Sequence, residues 1–256
     1  MKRKIFLGIF IIVALFGLIG CSSNKETKEI TISAAASLKE PIEEIKNVFE
    51  KEKNIKLNIN IGSSGALQKQ IEQGAPVDVF ISASKKQMNA LKEKDLIDKN
   101  SEKDMFTNSL VLIVSNSYKK DIKSIDKLKG KDIKIAIGET STVPAGQYAK
   151  EALQNLKYWN EFNNKFVYAK NVKAVLNYVE KGEAEAGIVY YTDAVNLKNS
   201  YVAYKVPQSS HKEIIYPSAI LSQSKNKELS NEFIKYLNNK KCRDILKKYN
   251  FEVKEN

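Results

Sequence analysis

Along most of this chain short apolar runs alternate with amphipathic stretches, which predicts strands and helices in alternation. Residues 29–33 (EITIS) read as a strand, residues 38–53 as an amphipathic helix, residues 56–61 as a strand and residues 65–73 as a helix. A third strand spans residues 77–81 and a helix starts near Lys85. Close to Asn108 the pattern restarts. Residues 110–114 are strongly apolar, residues 133–137 (IKIAI) follow a Lys-Gly-Lys turn, and a helix opens at Pro144. A strand near residues 165–168, a helix from Val172 and a buried strand over residues 186–189 complete the second unit. From Ile214 the remainder, with a strand at residues 218–221 and two helices ending at Tyr249, is too small for a third domain. Returning it to the first unit gives an α/β protein of two lobes, each a mainly parallel sheet flanked by helices and joined by two crossings. The expected division is residues 29–107 plus 212–256 for lobe 1 and 108–211 for lobe 2. Such a hinged clamshell places a ligand cleft at the carboxyl ends of the strands.

The N-terminus follows a different pattern. Lys2, Arg3 and Lys4 precede an unbroken apolar run over residues 5–19, the layout of a secretory signal peptide and short for a membrane span. Leu18-Ile19-Gly20-Cys21 resembles a lipobox, which implies cleavage after residue 20, a lipid on Cys21 and a solvated tether over residues 21–28. The expected location is the outer face of the cell membrane. With Cys21 acylated, Cys242 has no intramolecular partner, so no disulfide is expected and Cys242 reads as a semi-buried small hydrophobe.

Charge narrows the function classes. The chain carries 42 basic and 30 acidic residues, a formal net charge of +12. Without Lys2, Arg3 and Lys4 the balance is 39 against 30, or +9. Nucleic-acid binding does not follow, because past the leader Arg243 is the lone arginine and the lysines are interleaved with Glu and Asp. Catalysis is equally unsupported. His211 is the single histidine, no G-x-S-x-G elbow exists, and neither C-x-x-C nor H-E-x-x-H is present, so no enzyme, metal site or cofactor is expected. Asp78 and Asp193 read as turn or hinge hydrogen-bonding residues, and Trp159 falls in a helix-end loop.

The informative chemistry lies where strands meet helices. The first strand runs through Ala34-Ala35-Ala36 to Ser37, placing Ser37 at an N-cap position. Gly62-Ser63-Ser64-Gly65 follows the second strand, with Ser64 read as the cap of the next helix. In the second unit Pro144 suits the first helical turn and leaves the amide of Ala145 as a donor; Asn171-Val172 opens another helix and offers the amide of Val172. Gly187-Ile188-Val189-Tyr190 ends a buried strand with a phenolic hydroxyl. Helix N-termini offer unpaired N–H groups and a positive dipole end, so these elements in one cleft would form an anion site.

Ala34-Ala35-Ala36-Ser37-Leu38, Gly62-Ser63-Ser64-Gly65-Ala66-Leu67, Gly74-Ala75-Pro76-Val77-Asp78-Val79-Phe80-Ile81-Ser82-Ala83, Val143-Pro144-Ala145-Gly146 and Gly187-Ile188-Val189-Tyr190 stand in the order and approximate spacing of a known family. The chain resembles the molybdate-binding proteins of ABC importers; Asn108-Ser109-Leu110-Val111 and the stretch from Ser210-His211-Lys212 to Tyr216-Pro217 share the likeness. The resemblance implies a type II periplasmic-binding-protein fold. It also implies a lipid-anchored monomer that delivers molybdate, and tungstate with it, to an ABC permease. Carried over by position, the oxyanion contacts fall on Ser37, Ser64, Ala145, Val172 and Tyr190. Such a site holds a dianion by neutral donors and dipoles. A protonated phosphate would leave its O–H unpaired at a loss of about 1–3 kcal/mol, and discrimination against sulfate would fall to cavity size. Sulfate or phosphate binding is the competing reading, and a hydrolase is the distant one.

Overall fold

A computed structural model describes residues 28–119 and 121–253. The expected leader, Cys21 and nearly all of the tether lie outside the described residues. Two five-stranded sheets carry the fold. Strands β1 (Glu29–Ala35), β2 (Lys56–Gly62), β3 (Val79–Ile81), β4 (Lys103–Asn108) and β10 (Ile214–Ile220) form one, in the order β2-β1-β3-β10-β4. Strands β5 (Leu110–Ser115), β6 (Ile135–Gly138), β7 (Phe166–Ala169), β8 (Ala186–Tyr190) and β9 (Ser200–Lys205) form the other, in the order β7-β6-β8-β5-β9. In each sheet four strands point one way and the fourth in spatial order runs against them, since β10 and β5 are antiparallel to both neighbours. The sheets are therefore mixed in their pairing. The two reversed strands are the ones that receive the chain after it crosses: Ser109 alone separates β4 from β5, and residues 206–213 lead from β9 to β10.

The elements follow from local chemistry. Helix α1 (Lys39–Lys53) buries Ile42, Ile45 and Phe49 on one face, tolerates Pro41 within its first turn, and ends at Asn54 in the left-handed conformation (φ 53°). Helices α2 (Ser64–Glu72) and α3 (Lys85–Glu93) complete the connections of the first three strands. In the second lobe α4 (Pro144–Asn155), the single turn α5 (Trp159–Phe162) and α6 (Val172–Glu180) flank a sheet whose interior strand β5 is buried from Leu110 to Val114. Helices α7 (Lys227–Leu237) and α8 (Lys240–Lys248) return to the first lobe, where Phe49 meets Phe233 and Tyr236 edge-on at 5.2 and 5.0 Å. Cys242 on α8 is fully buried, and burial pushes its thiol up to about 12, consistent with an inert hydrophobe.

Three features differ from the sequence expectation. Strands β4 and β9 were not anticipated; both are edge strands, and half-solvated edges with polar residues such as Lys103, Asp104 and Lys205 blur the alternation. Strand β10 begins at Ile214 rather than Ser218. Pro217, which argues against a central strand, is accommodated by a register shift against β4 between Tyr216 and Pro217. Strand β3 is shorter than expected and starts at Val79.

One close approach sets the position of the second lobe's cleft wall. Gly146, in the first turn of α4, lies so near β6 that a Cβ there would stand 2.0 Å from the carbonyl oxygen of Gly138. Only the absence of a side chain lets this helix start rest on the end of the strand. Gly146→Ala is expected to destabilise the protein by about 1–3 kcal/mol through overpacking, measured as a lower urea midpoint. An unchanged midpoint would show that α4 can shift without loss.

Candidate functional site

The carboxyl ends of β1, β2, β6 and β8 face one another across a small cleft between the lobes. Its cavity volume is about 10 Å³, far below the roughly 300–1,000 Å³ of pockets that take drug-sized ligands. Ser37, Ser64, Ala145, Val172 and Tyr190 all line it, so the structure brings together the five residues expected to contact an oxyanion. Trp159 is elsewhere, its ring tilted against Phe166 at 4.7 Å.

Two local assignments need correction. Ser37 is not a helix cap. A single 3-10 turn, Ala36–Leu38, intervenes between β1 and α1, and Ser37 sits inside it with its hydroxyl 2.8 Å from the hydroxyl of Tyr216. Ser64 is not the cap of α2 either. Ser63 takes that place, accepting from the amide of Ala66 at 3.3 Å, while Ser64 is the first helical residue and its hydroxyl accepts from the amide of Ala83 at 3.0 Å. The cleft therefore receives three α-helix starts and one 3-10 turn. In the second lobe the expectation matches the geometry: Pro144 opens α4 with Ala145 next to it, and Asn171 caps α6 through the amide of Ala174 at 2.9 Å, leaving Val172 as the first helical residue. The first amides of a helix have no acceptor within it, so these ends present donors to the cleft.

Tyr190 contributes a different kind of donor. It is 1% exposed, and its hydroxyl has no hydrogen-bond partner among the described residues. Burial pushes its phenol well above the ordinary range, so it keeps its proton at neutral pH. Sequence reasoning missed Tyr216, which backs Ser37. Its partner lies 179 residues away, and no local signal pairs them.

Among the described residues, no charged side chain lines the cleft. Lys173, next in the chain to Val172, is held away by carboxylates from both lobes: 2.9 Å from Asp193 Oδ1 and 2.6 Å from Glu40 Oε2. Burial works against the Lys173 charge, but Asp193 and Glu40 more than offset it and its pKa is raised. Burial likewise raises Asp193, opposed by Lys173. The lobes also meet at Gly65, whose amide donates to the carbonyl of Thr142 at 2.9 Å; a Cβ there would lie 2.5 Å from that oxygen.

The remaining titratable candidates are otherwise engaged. Asp78 accepts from the amide of Thr31 at 2.8 Å and from the hydroxyl of Ser224 at 2.6 Å. His211 is buried against Tyr148, with Nδ1 2.8 Å from the carbonyl of Lys212. Among the described residues, no cluster of His, Cys, Asp and Glu suits a metal ion, and no helix is long and apolar enough to cross a membrane.

Comparison with known proteins places this geometry in context. A family model described as bacterial extracellular solute-binding protein matches residues 30–252. The chain is 37% identical to a putative ABC transporter substrate-binding lipoprotein, YvgL, of Bacillus subtilis, over 98% of this chain and 99% of that one. It is 36% identical to the molybdate-binding protein ModA of Haemophilus influenzae, over 99% of this chain and 100% of the relative. A solved structure, the substrate-binding domain of a putative molybdenum ABC transporter from Clostridium difficile, is 41% identical, with a TM-score of 0.69 over 89% of this chain and 99% of its own.

The buried charge cluster beside the cleft yields a test. Lys173→Met leaves Asp193 without its cation and is expected to cost about 3–5 kcal/mol in urea unfolding. Adding Asp193→Asn should recover most of that loss. A lone Lys173→Met variant with wild-type stability would mean that Asp193 is solvated.

Proposed function

We propose, from the premise that this chain belongs to the bacterial extracellular solute-binding protein family, that it captures molybdate, and tungstate with it, and delivers the anion to an ABC importer. The observation that carries this reading is the composition of the cleft: hydroxyls of Ser37, Ser64 and Tyr190 and the helix-start amides at Ala145 and Val172, with no lysine or arginine among the described residues lining it. Donors dominate and no carboxylate is present, so a fully ionised oxyanion suits it. Relatives named for molybdate binding support the choice of anion. The small volume supports a single compact ion over a peptide or sugar.

The lobes, taken as residues 29–107 plus 212–256 and residues 108–211, contribute donors from both sides. Ser37 and Ser64 come from the first, and Ala145, Val172 and Tyr190 from the second. Anion then shifts an open–closed equilibrium, because the full donor set exists only when the lobes meet. Within this reading the protein is an exported monomer, anchored by lipid on Cys21 to the outer face of the cell membrane; a relative named as a lipoprotein supports the anchor.

Calorimetric titration tests the ligand. Molybdate and tungstate are expected to bind tightly, sulfate and phosphate weakly or not at all; heat with sulfate and none with molybdate would refute the assignment. Ser64→Ala and Tyr190→Phe should each weaken molybdate about 10-fold to 150-fold, the loss of one hydrogen bond to a charged group of roughly 1.5–3 kcal/mol, and unchanged affinity in both would move the site elsewhere. For the anchor, Cys21→Ala is expected to shift the protein from the membrane fraction to the soluble fraction; retention on membranes would exclude the lipid.

A further inference from the structure

The hydrogen bonds behind Ser37 have a direction. The amide of Ser109 donates to Asn108 Oδ1 at 2.9 Å, which fixes the orientation of the Asn108 side chain. Its Nδ2 therefore faces Thr192 Oγ1 at 2.9 Å and the Tyr216 hydroxyl at 3.2 Å, donating to both. Tyr216 is fully buried, and among the described residues its hydroxyl has one other hydrogen-bond partner, Ser37 Oγ at 2.8 Å, the nearby Tyr190 hydroxyl making no hydrogen bond. A phenol carries a single proton. If Ser37 donated to Tyr216, the phenolic proton would be left without an acceptor in a buried site. Tyr216 must therefore donate to Ser37, which leaves the Ser37 proton for the cleft.

From this geometry we infer that Asn108 and Tyr216 are positioning residues that hold the Ser37 hydroxyl as a hydrogen-bond donor and so help select acceptor-only anions. Ser64 is set in the same way by the Ala83 amide, and Tyr190 has a proton and no partner. All three hydroxyls thus face the cleft as donors. A singly protonated phosphate needs an acceptor, and the relay denies it Ser37. The Tyr216 ring cannot swing to change this, being packed against Phe106 at 5.1 Å, Phe251 at 5.4 Å and Tyr190 at 5.9 Å. Asn108 also ties the relay to closure, since it ends β4 at the first crossing and reaches Thr192 in the turn after β8.

This inference rests on the proposed oxyanion function, and a double-mutant cycle separates the two. Titration with molybdate compares the wild type, Tyr216→Phe, Ser37→Ala and the double variant, with phosphate measured by displacement. Phenylalanine keeps the ring packing and removes the relay. Tyr216→Phe is expected to weaken molybdate about fivefold to tenfold and to narrow the preference for molybdate over phosphate, whereas in the Ser37→Ala background it should cost nothing further. Asn108→Ala, which leaves the ring untouched, should give a smaller loss that also vanishes without the Ser37 hydroxyl. Equal losses in both backgrounds, or unchanged affinity in Tyr216→Phe, would overturn the positioning role while leaving the function intact. A wild-type protein that does not bind molybdate would overturn both.

Discussion

Removing a doubly charged ion from water is among the most unfavourable steps a protein can make, and a buried counter-charge is the obvious remedy. The proposed site uses the other one, in which many partial charges converge and each is already fixed by the fold. Three α-helix starts, a 3-10 turn and three hydroxyls reach it from the ends of parallel strands in two lobes. That requirement accounts for much of the architecture. Helix α4 rests on the end of β6 only because Gly138 and Gly146 carry no side chains, and α2 meets the facing lobe only because Gly65 has none.

The lysine excess takes no part in the cleft itself. Lys173 could reach toward it from α6 but is instead committed to Asp193 and Glu40, one carboxylate from each lobe. A positive charge is thereby kept near the cleft without becoming a ligand, and it contributes an attraction between the lobes when they are together. Other lysines form exposed pairs such as Lys53 with Glu232 and Lys85 with Asp104, which add little stability.

Local sequence chemistry made the second lobe's half of the site easy to read. Pro144 fits only the first turn of a helix, and Asn171 is a strong N-cap, so the amides beside them were placed correctly. In the first lobe the expected residues reach the cleft, but their local cap assignments were wrong. Ser63 and Ser64 are chemically identical candidates for one cap, and only the contact with Ala83 distinguishes them; Ser37 looked like a cap because a 3-10 turn leaves no signature that separates it from a helix start. The relay through Asn108 and Tyr216 could not be read at all. It joins residues 108 and 179 positions apart, and such pairing is a property of the sheet order rather than of any local pattern. The same limit hid β4 and β9, whose pairing at sheet edges requires little hydrophobic alternation.

Where the anion sits, and what holds it, decides between a neutral donor site and a charged one. Diffraction from crystals grown with molybdate, recorded at the molybdenum absorption edge, locates the metal independently of any assumption about the site. The predicted result is a single anomalous peak between Ser37, Ser64 and Tyr190, with every oxygen bonded to a hydroxyl or backbone amide and no lysine or arginine nitrogen within hydrogen-bond distance. A peak at a lysine-rich surface, or an anion in the cleft gripped by a basic side chain drawn in from outside, would contradict it.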